Sequence, residues 1–336
     1  MGRGHTLARS AARPASPYER MPVRPIVAWL LVAACAAWVA MRLLGLERGF
    51  PLVPLVAYTP LAAGAAVAVA VLVAVLRQLA AALTAAALAL ALVAVVVPRA
   101  LGGPTEPAGE PGPVLRVMTV NMLRGRGSPE ALVALVRRTR ADVVSVQELT
   151  PELERELDGA GLSELLPERN LASRPSGSGI GLYARMPLQE RPAPARSHNP
   201  MVVAVPRVPG AVAVELLAIH TSAPLHAHNV ARWREDLRAL PAASPRGPVR
   251  ILAGDFNSTL DHAELRDVLD RGYEDAAATV GAGLRATWPS HGRRAPPVAI
   301  DHVLADRRCG VRAVSVHTIA GSDHRAVVAE LVLPRG

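Results

Sequence analysis

The chain has 336 residues, of which 51% are hydrophobic, and its formal net charge is +9. This length favours two structural units over one. The charge is uneven, because residues 1–25 contribute +4, residues 26–100 contribute +3 and all later residues only +2. The nearly neutral C-terminal part argues against a domain that binds nucleic acid through a strongly positive surface.

The region after the N-terminus is dominated by apolar residues. Only four charged side chains occur within residues 26–98. Three apolar segments, at residues 26–46, 52–76 and 79–97, each come close to the ~20 residues that are needed to cross a bilayer. We therefore predict three transmembrane helices after a basic N-terminus of residues 1–25, with the lipid bilayer as a partner.

Arginine residues around these segments indicate the orientation. Six lie on the side of the N-terminus and three on the opposite side, and positively charged loops are retained in the cytoplasm. We expect a multi-pass protein of the cell membrane with everything after Arg99 extracytoplasmic. A signal peptide is the alternative, because residues 32–35 (Val-Ala-Ala-Cys) resemble a cleavage site at which Cys35 would be lipidated. Either interpretation exports the C-terminal domain.

A linker is predicted at residues 99–113. Residues 101–113 contain four Gly and four Pro, a composition typical of an extended, semi-rigid spacer. At ~3.1 Å per residue such a spacer would reach roughly 40 Å. The part of the chain after the linker would then be tethered within reach of the lipid surface.

Residues 114–336 alternate short β-branched runs with helix signals. Helices are predicted to begin at Ser128-Pro129 and at Thr150-Pro151, where a capping residue precedes proline, and a third is predicted at residues 224–240. Strands are predicted at residues 114–120, 142–146, 211–219, 248–253 and 298–300. The pattern predicts a mixed α/β domain with at least one substantial sheet.

Polar residues accompany the predicted strands, and loops at strand ends commonly carry chemistry. Asn121 follows the first strand and Glu148 the second. An amide oxygen and a carboxylate suit Mg²⁺, a hard cation that keeps coordination places for water and phosphate. Taken alone, each residue has a simpler interpretation, because an Asn after a strand usually forms a turn and a Glu there is usually solvated.

The motif Gly254-Asp255-Phe256-Asn257 follows the fourth predicted strand. Beside a metal-polarised phosphate, the Asp255 carboxylate could deprotonate an attacking water, and the Asn257 amide could donate to the developing charge. The alternative is an Asp-x-Asn turn that satisfies only its own backbone.

Two Asp-His pairs, Asp301-His302 and Asp323-His324, each offer an imidazole beside a carboxylate. A buried Asp fixes the imidazole tautomer and favours its charged form, but chemistry alone does not decide which His is catalytic. His220 ends a predicted strand and could bind a phosphate, although a structural core His is the commoner outcome. The histidines without an assigned role are His198, His226, His228, His262, His291 and His317.

Taken in order, these motifs, together with Gln147 and Thr287-Trp288, resemble those of the endonuclease/exonuclease/phosphatase family over residues 114–333. The resemblance implies a four-layer α/β sandwich, in which two β-sheets pack face to face between layers of helices. It also implies hydrolysis of phosphoester or phosphoanhydride bonds with Mg²⁺, or alternatively Mn²⁺, as the cofactor.

The same resemblance implies a role for each matching position. Asn121 and Glu148 hold the metal, Asp323 supports metal or phosphate, His220 binds phosphate, Asp255 activates water, Asn257 stabilises the transition state and Asp301 orients His324. His302 follows an Asp at a position where relatives carry an aromatic residue or His, so no catalytic role is assigned to it.

The predicted membrane helices before a nearly neutral domain are similar to the arrangement in membrane-anchored family members of actinobacterial envelopes, one of which is associated with teicoplanin resistance. That resemblance implies a lipid-linked phosphate substrate, such as undecaprenyl pyrophosphate or a peptidoglycan lipid intermediate. Two alternatives stay open. A surface nuclease is disfavoured by the low charge of the domain, and a non-catalytic envelope-binding module is disfavoured by the complete motif set. The oligomeric state is not indicated.

Overall fold

The computed structural model describes residues 23–194, 197–292 and 295–336. Nearly all of the basic N-terminus predicted at residues 1–25 therefore lies outside the described residues. The α-helices of the described part are α1 (Val23–Leu44), α2 (Leu52–Val56), α3 (Thr59–Val75), α4 (Leu79–Val96), α5 (Pro129–Thr139), α6 (Pro151–Gly159), α7 (Leu162–Leu165), α8 (Ala227–Arg238), α9 (Ala263–Leu269) and α10 (Ala276–Thr279). A short 3-10 helix at Val97–Ala100 continues α4.

Two of the described helices, α1 and α4, are long and apolar enough to cross a membrane. The second predicted span is not one helix, because it is divided into α2 and α3 with a break at Ala57 and Tyr58. The 17 residues of α3 form a shorter apolar helix. Pro60 accounts for its start, since proline lacks an N–H and fits best in the first turn of a helix.

Helices α1, α3 and α4 pack together mainly through alanine and valine. Ala28, Ala85 and Ala89 are almost fully buried in these contacts. Small side chains allow close approach of apolar helices. Large apolar side chains instead point outward, among them Leu30, Val71, Val75, Leu83 and Leu90.

Twelve strands of the described residues form two six-stranded sheets. The strands are β1 (Pro111–Asn121), β2 (Val143–Gln147), β3 (Glu168–Ala172), β4 (Ile180–Ala184), β5 (Leu188–Arg191), β6 (Val202–Pro206), β7 (Val214–His220), β8 (Val249–Asp255), β9 (Tyr273–Asp275), β10 (Asp301–Asp306), β11 (Gly310–Thr318) and β12 (Arg325–Pro334). The first sheet has the order β11-β12-β1-β2-β4-β3 and the second β5-β6-β7-β8-β10-β9.

The two sheets pack face to face. Residues such as Val117 of β1 and Ile251 of β8 fill the apolar layer between them. Helices α5, α6 and α7 cover the outer face of the first sheet through a second apolar cluster, and α8 and α9 cover the second sheet through a third. The predicted four-layer α/β sandwich is therefore confirmed.

The predicted helix starts are also confirmed. The Ser128 hydroxyl accepts a hydrogen bond from Ala131 N at 3.1 Å, and the Thr150 hydroxyl accepts one from Leu153 N at 3.1 Å. These side chains satisfy N–H groups that have no partner within the helix. The helix predicted at residues 224–240 is shorter, because α8 begins only at Ala227.

The predicted strand at residues 298–300 is wrong in position. β10 begins at Asp301, and residues 298–300 precede it, with Val298 in an isolated bridge to Trp288. Asp301 therefore opens a strand instead of ending one. The apolar run was misleading because residues on both sides of a strand start can be apolar when the chain stays buried there.

The spacer predicted at residues 101–113 is hydrogen-bonded to the domain that follows it. Its backbone N–H groups donate as follows: Gly103 to Thr279 O at 3.0 Å, Thr105 to Val311 O at 2.9 Å and Ala108 to Arg308 O at 2.9 Å. An extended backbone has unpaired polar groups, and neighbouring loops can satisfy them. The segment runs along the domain and does not hold it at a distance.

The apolar helices contact the sandwich directly. Arg42 Nε of α1 lies 2.7 Å from Asp261 Oδ1, and Arg99 Nη2 after α4 lies 2.6 Å from the same oxygen. Glu47 Oε1 accepts a hydrogen bond from Ala263 N at 2.6 Å, at the start of α9. These contacts place the α1 end and the α4 end against one loop of the second sheet.

Val53 of α2 extends this contact into the core of the sandwich. Its side chain is fully buried in the apolar cluster that includes Trp233 and Phe256. The segment between α1 and α3 therefore packs with the sandwich as well as with the apolar helices.

Candidate active site

Strand ends from both sheets meet at one edge of the sandwich. Asn121 ends β1, His220 ends β7 and Asp255 ends β8. Asp301 opens β10, and His324 immediately precedes β12. Because β10 is antiparallel to β8 and β12 is antiparallel to β1, the beginnings of these two strands lie at the same edge as the ends of the others.

Asn121 connects two carboxylates across the two sheets. Its Nδ2 donates to Glu148 Oε1 and to Asp255 Oδ2, both at 3.1 Å, and its Oδ1 accepts from Leu123 N at 2.9 Å. Glu148 follows β2 with a φ of 57°, a conformation that costs on the order of 1–3 kcal/mol for a residue other than glycine. Its Oε2 accepts from Arg124 N at 2.8 Å, which helps to hold the carboxylate in place.

Asp255 is buried at the centre of the group. Its Oδ1 accepts from Asn257 N at 2.8 Å, so the Asp-x-Asn turn considered as the alternative is present. Its Oδ2 nevertheless lies 3.9 Å from His220 Nε2 and 3.8 Å from His324 Nε2. Burial and then the nearby Asp301 carboxylate raise the pKa of Asp255, as expected for a group that accepts a proton.

The turn after β8 depends on Gly254 and Asn257. A Cβ on Gly254 would lie 1.9 Å from Ile219 O, so a side chain there would separate β8 from β7. Asn257 has a φ of 46°, which asparagine tolerates better than most residues. Its Nδ2 donates to Thr221 O at 2.9 Å, which holds the side chain beside the end of β7.

His324 forms a buried ion pair with Asp301. Its Nδ1 lies 2.9 Å from Asp301 Oδ2 and 3.1 Å from Oδ1. Burial alone would lower the pKa of His324, but the carboxylates of Asp301 and Asp255 raise it to about 10. At neutral pH the ring is therefore protonated, with its Nε2 on the side of Asp255.

His220 is buried and has a free ring nitrogen. Its Nδ1 has no hydrogen-bond partner among the described residues, and burial lowers its pKa, which favours the neutral ring. The backbone around it is held by Asn199, whose Nδ2 donates to His220 O at 3.0 Å. A buried polar atom without a partner is a candidate for binding a ligand.

Asp323 is held at the rim by a residue to which no role was assigned. Trp288 Nε1 donates to Asp323 Oδ2 at 3.1 Å, while Asp323 Oδ1 is buried without a partner in the described residues. The preceding Thr287 accepts from Ile300 N and Asp301 N at 3.0 and 3.1 Å. Thr287 and Trp288 were noted only as part of the motif order, and their positioning role was missed.

His302 points away from this group. Its Nδ1 lies 2.7 Å from Asp275 Oδ2 and its Nε2 2.8 Å from Ser258 O. Since both partners are acceptors, the ring carries both protons, and Asp275 raises its pKa against the effect of burial. Successive residues of a strand face opposite sides, so Asp301 and His302 serve different parts of the molecule.

The unassigned histidines fall into separate places. The ring of His226 stacks on that of His228, with centroids 5.6 Å apart. A helix through both residues would have put them on different faces, but His226 precedes α8 in an extended conformation. His262 is buried, accepts from Thr259 N at 2.9 Å and borders the site. Of the remainder, His198 pairs with Glu235 at 2.6 Å.

A cavity of about 450 Å³ opens over the group. It will be called the catalytic cavity, and its polar lining includes Glu148, His220, Asp255, Asn257, Asp323 and His324. Two exposed arginines, Arg124 and Arg126, also line it. Neither arginine was predicted as a site residue, because no motif contains them.

The other wall of the catalytic cavity comes from the helical half of the molecule. Pro54, Ala57 and Tyr58, between α1 and α3, line it. Nothing in the sequence connected these residues to the site, because they are more than sixty residues away from Asn121 in the chain. Only the docking of Val53 against α8 and α9 brings them there.

Two groups of residues could hold a metal ion. Asp255, Asp301 and His324 place one ligand atom each within 4.8 Å of one another. In the metal-free protein the His324 ring is protonated, so it would have to release a proton to become a ligand. Of the predicted ligands, Glu148 and Asp323 line the catalytic cavity with carboxylate oxygens, and the unpartnered Asp323 Oδ1 fits a hard divalent cation. Asn121 directs its Nδ2 to Glu148 and would bind a metal through its Oδ1.

We expect the metal-free protein to keep His324 protonated well above neutral pH. The folded pKa is raised from 6.5 to about 10, so the contribution of this pair to stability is complete below about pH 6.5 and disappears as pH rises through about 10. Asp301→Asn should shift this loss to lower pH. Nitrogen NMR of the imidazole rings follows the protonation of His324 as pH rises. His317 is the internal reference, because Asp301→Asn should leave its titration unchanged.

Comparisons with known proteins agree with the fold. The model of the Endonuclease/Exonuclease/phosphatase family matches residues 118–324. No match was found among curated proteins.

Solved structures share the sandwich. A D. rerio TDP2 humanized by 14 mutations superposes with a TM-score of 0.52 at 18% identity, covering 65% of this chain and 98% of that chain. An endonuclease/exonuclease/phosphatase from Beutenbergia cavernae DSM 12333 gives 0.50 at 20% identity, covering 66% and 72%. D. rerio TDP2 complexed with single strand DNA product gives 0.51 at 16% identity, covering 65% and 98%. With the matched motifs and the two-sheet sandwich, this chain belongs to the endonuclease/exonuclease/phosphatase family, whose members are typically hydrolases that depend on a divalent metal.

Proposed function

We propose that this chain is a membrane-anchored phosphoesterase that uses Mg²⁺ to hydrolyse a phosphoester or pyrophosphate bond of a lipid-linked substrate at the extracytoplasmic face of the cell membrane. One observation carries the proposal. The catalytic cavity is lined on one side by the buried carboxylate and histidine group and on the other by Pro54, Ala57 and Tyr58, which connect the apolar helices.

The chemistry follows from the protonation states of the group. Asp255, whose pKa is raised, accepts the proton of an attacking water. His324, kept protonated by Asp301, donates a hydrogen bond to a phosphate oxygen as negative charge develops there. His220, with its unpartnered Nδ1, and Asn257 bind the remaining phosphate oxygens.

Asn121, Glu148 and Asp323 would hold the Mg²⁺. When bound, the ion would polarise a phosphate oxygen and offset its charge. Asn121 Oδ1 uses one lone pair for Leu123 N and keeps a second for a ligand. Trp288 holds Asp323 toward the cavity through Oδ2 and leaves Oδ1 available. Manganese, with similar ligand preferences, is expected to substitute.

The proposed orientation has support from charge. Three arginines lie on the side of the apolar helices that carries the sandwich, but Arg42 and Arg99 are paired with Asp261. The rule counts Lys and Arg residues and not net charge, so six arginines on the N-terminal side stand against these three whether or not they are paired. By the positive-inside rule this favours a cytoplasmic N-terminus and an extracytoplasmic sandwich.

The proposal is tested with the full chain in lipid nanodiscs. Wild type should release phosphate from a long-chain polyprenyl pyrophosphate with added Mg²⁺, lose that activity after chelation with EDTA, and regain it with Mg²⁺ or Mn²⁺. His324→Ala should lose on the order of 10²-fold or more in kcat, since it removes a charged donor to the transition state. Absence of lipid turnover in the wild type under all metal conditions would refute the lipid-phosphate function.

A nuclease is the second candidate, and two observations favour it. Arg124 and Arg126 are exposed beside the catalytic cavity, and D. rerio TDP2, which shares the fold, is known with a single strand DNA product. Plasmid nicking in the same nanodisc preparation separates the candidates. Nicking without lipid turnover would put the nuclease first, and absence of both would favour a non-catalytic envelope-binding module.

A further inference from the structure

The catalytic cavity adjoins a second, smaller cavity. This side passage has a volume of about 130 Å³. Ala57, Tyr58 and Val298 line both spaces, so the two cavities are neighbours that meet at these three residues. From there the side passage leads to Leu61, in the first turns of α3, and to Leu284. The side passage therefore lies between the catalytic cavity and the first turns of α3.

Exposed leucines mark the two ends of this route. In the described part of residues 102–336, the exposed large hydrophobic side chains are Leu225 and Leu284. Leu225 lines the catalytic cavity and Leu284 lines the side passage. Leu61, opposite Leu284, is 58% exposed. Exposed apolar side chains that collect at a cleft indicate a binding site for an apolar group.

Most polar side chains along the side passage already have partners among the described residues, the Tyr58 hydroxyl being the exception. Arg99 donates to both oxygens of Asp261, at 2.8 and 2.6 Å. The Thr259 hydroxyl accepts from Asp261 N at 3.3 Å and lies 3.2 Å from His262 Nδ1. A polar ligand would have to compete with these bonds, whereas a hydrocarbon chain would need none of them.

We propose that the side passage binds the hydrocarbon chain of the substrate, which enters from the bilayer between Leu61 and Leu284 while its phosphate occupies the catalytic cavity. This inference rests on the proposed lipid-phosphate function and identifies its specificity-determining residues. Tyr58 and Val298 stand where chain and head group meet. Arg124 and Arg126, on the far side of the catalytic cavity, are placed to receive a second phosphate of a pyrophosphate.

The test compares two substrates with the same reacting group on the full chain in nanodiscs. One is a long-chain polyprenyl pyrophosphate and the other a five-carbon prenyl pyrophosphate, which cannot reach Leu284. Leu284→Asp should lower kcat/KM for the long chain tenfold or more, about the effect of losing one leucine contact with an apolar group. It should leave kcat/KM for the short substrate within about twofold.

Leu101→Asp is the matched control. Leu101 is 74% exposed near the end of α4 and lies outside both cavities, so the same new charge beside the bilayer should change neither substrate. A polyprenyl phosphate with a diazirine in its chain should also cross-link to peptides that contain Leu61 or Leu284 in the wild type, a readout that needs no turnover.

Each outcome decides something different. Equal losses on both substrates, or no loss with Leu284→Asp, would overturn the side-passage proposal and leave the phosphoesterase standing. Preference of the wild type for the short substrate, or cross-links elsewhere, would do the same. Failure of the wild type on both prenyl substrates would instead refute the lipid-phosphate function, and the side-passage proposal with it.

Discussion

Asp255→Asn is expected to lower kcat by on the order of 10²–10⁴-fold, the range found when a general base is removed. The substitution keeps the shape of the side chain but removes the charge that faces His220 and His324 at 3.9 and 3.8 Å. Folding should be retained, because Asp255 is a buried carboxylate whose pKa burial and Asp301 already raise. Steady-state kinetics and thermal unfolding of the same preparation measure both quantities.

A second buried Asp–His pair supplies the matched control. Asp275 lies 2.7 Å from His302 Nδ1, and this pair is as buried as that of Asp301 and His324. Asp275→Asn should lower the temperature of unfolding and leave kcat nearly unchanged, since His302 does not line the catalytic cavity. Activity of Asp255→Asn within tenfold of wild type, or a larger loss for Asp275→Asn, would contradict the assignment of the base.

Asp261→Ala is expected to destabilise the contact between the apolar helices and the sandwich by about 3–5 kcal/mol, the usual cost of removing one partner from a buried ion pair. Arg42 and Arg99 would be left with side chains less than a tenth exposed and no counter-ion. Thermal unfolding in detergent should show a lower midpoint, and proteolysis should reach the segment between α1 and α3.

Replacing all three charged residues of this contact by apolar ones tests whether the loss in Asp261→Ala comes from the unpaired arginines. The triple variant Arg42→Met, Arg99→Met and Asp261→Leu should recover most of the lost stability, because a buried ion pair can often be replaced by apolar residues without net cost. If Asp261→Ala unfolds at the wild-type midpoint, the ion pairs do not hold the two halves together. If the triple variant is no better than Asp261→Ala, the loss is due to packing.

The contact has a consequence for the site. Loop 259–262 carries Asp261 beside His262, and His262 borders the catalytic cavity. Burial lowers the pKa of His262 to about 4, partly opposed by hydrogen bonding with Thr259. The ring is thus neutral at pH 7, and it lies between α2 and the catalytic group. Loop 259–262 is therefore the connection through which the helices position one wall of the catalytic cavity.

The candidate site was accessible to sequence analysis because it stands at strand ends. A strand needs a buried, β-branched run, and a change to polar residues marks where the chain reaches the sheet edge. This rule located Asn121, Glu148, His220 and Asp255. It misjudged Asp301, because an antiparallel strand brings its beginning, not its end, to the shared edge.

The same analysis could not choose between His302 and His324. Both follow an Asp, and both are buried beside a carboxylate in the structure. The choice depends on which face of β10 and β12 each residue occupies. That face is set by strand register, which places Asp301 beside Asp255 and His302 against Asp275 on the other side.

By itself, the sequence determined a mixed α/β domain, the order of its polar motifs and the presence of long apolar helices, because each depends on local composition and on the period of apolar residues. The two-sheet sandwich was what the family resemblance implied. Only the tertiary structure decided that Arg42 and Arg99 bind Asp261 and that Pro54 to Tyr58 form a wall of the catalytic cavity. Those features arise from contacts between residues more than a hundred positions apart in the chain, and no local pattern records which surfaces will meet.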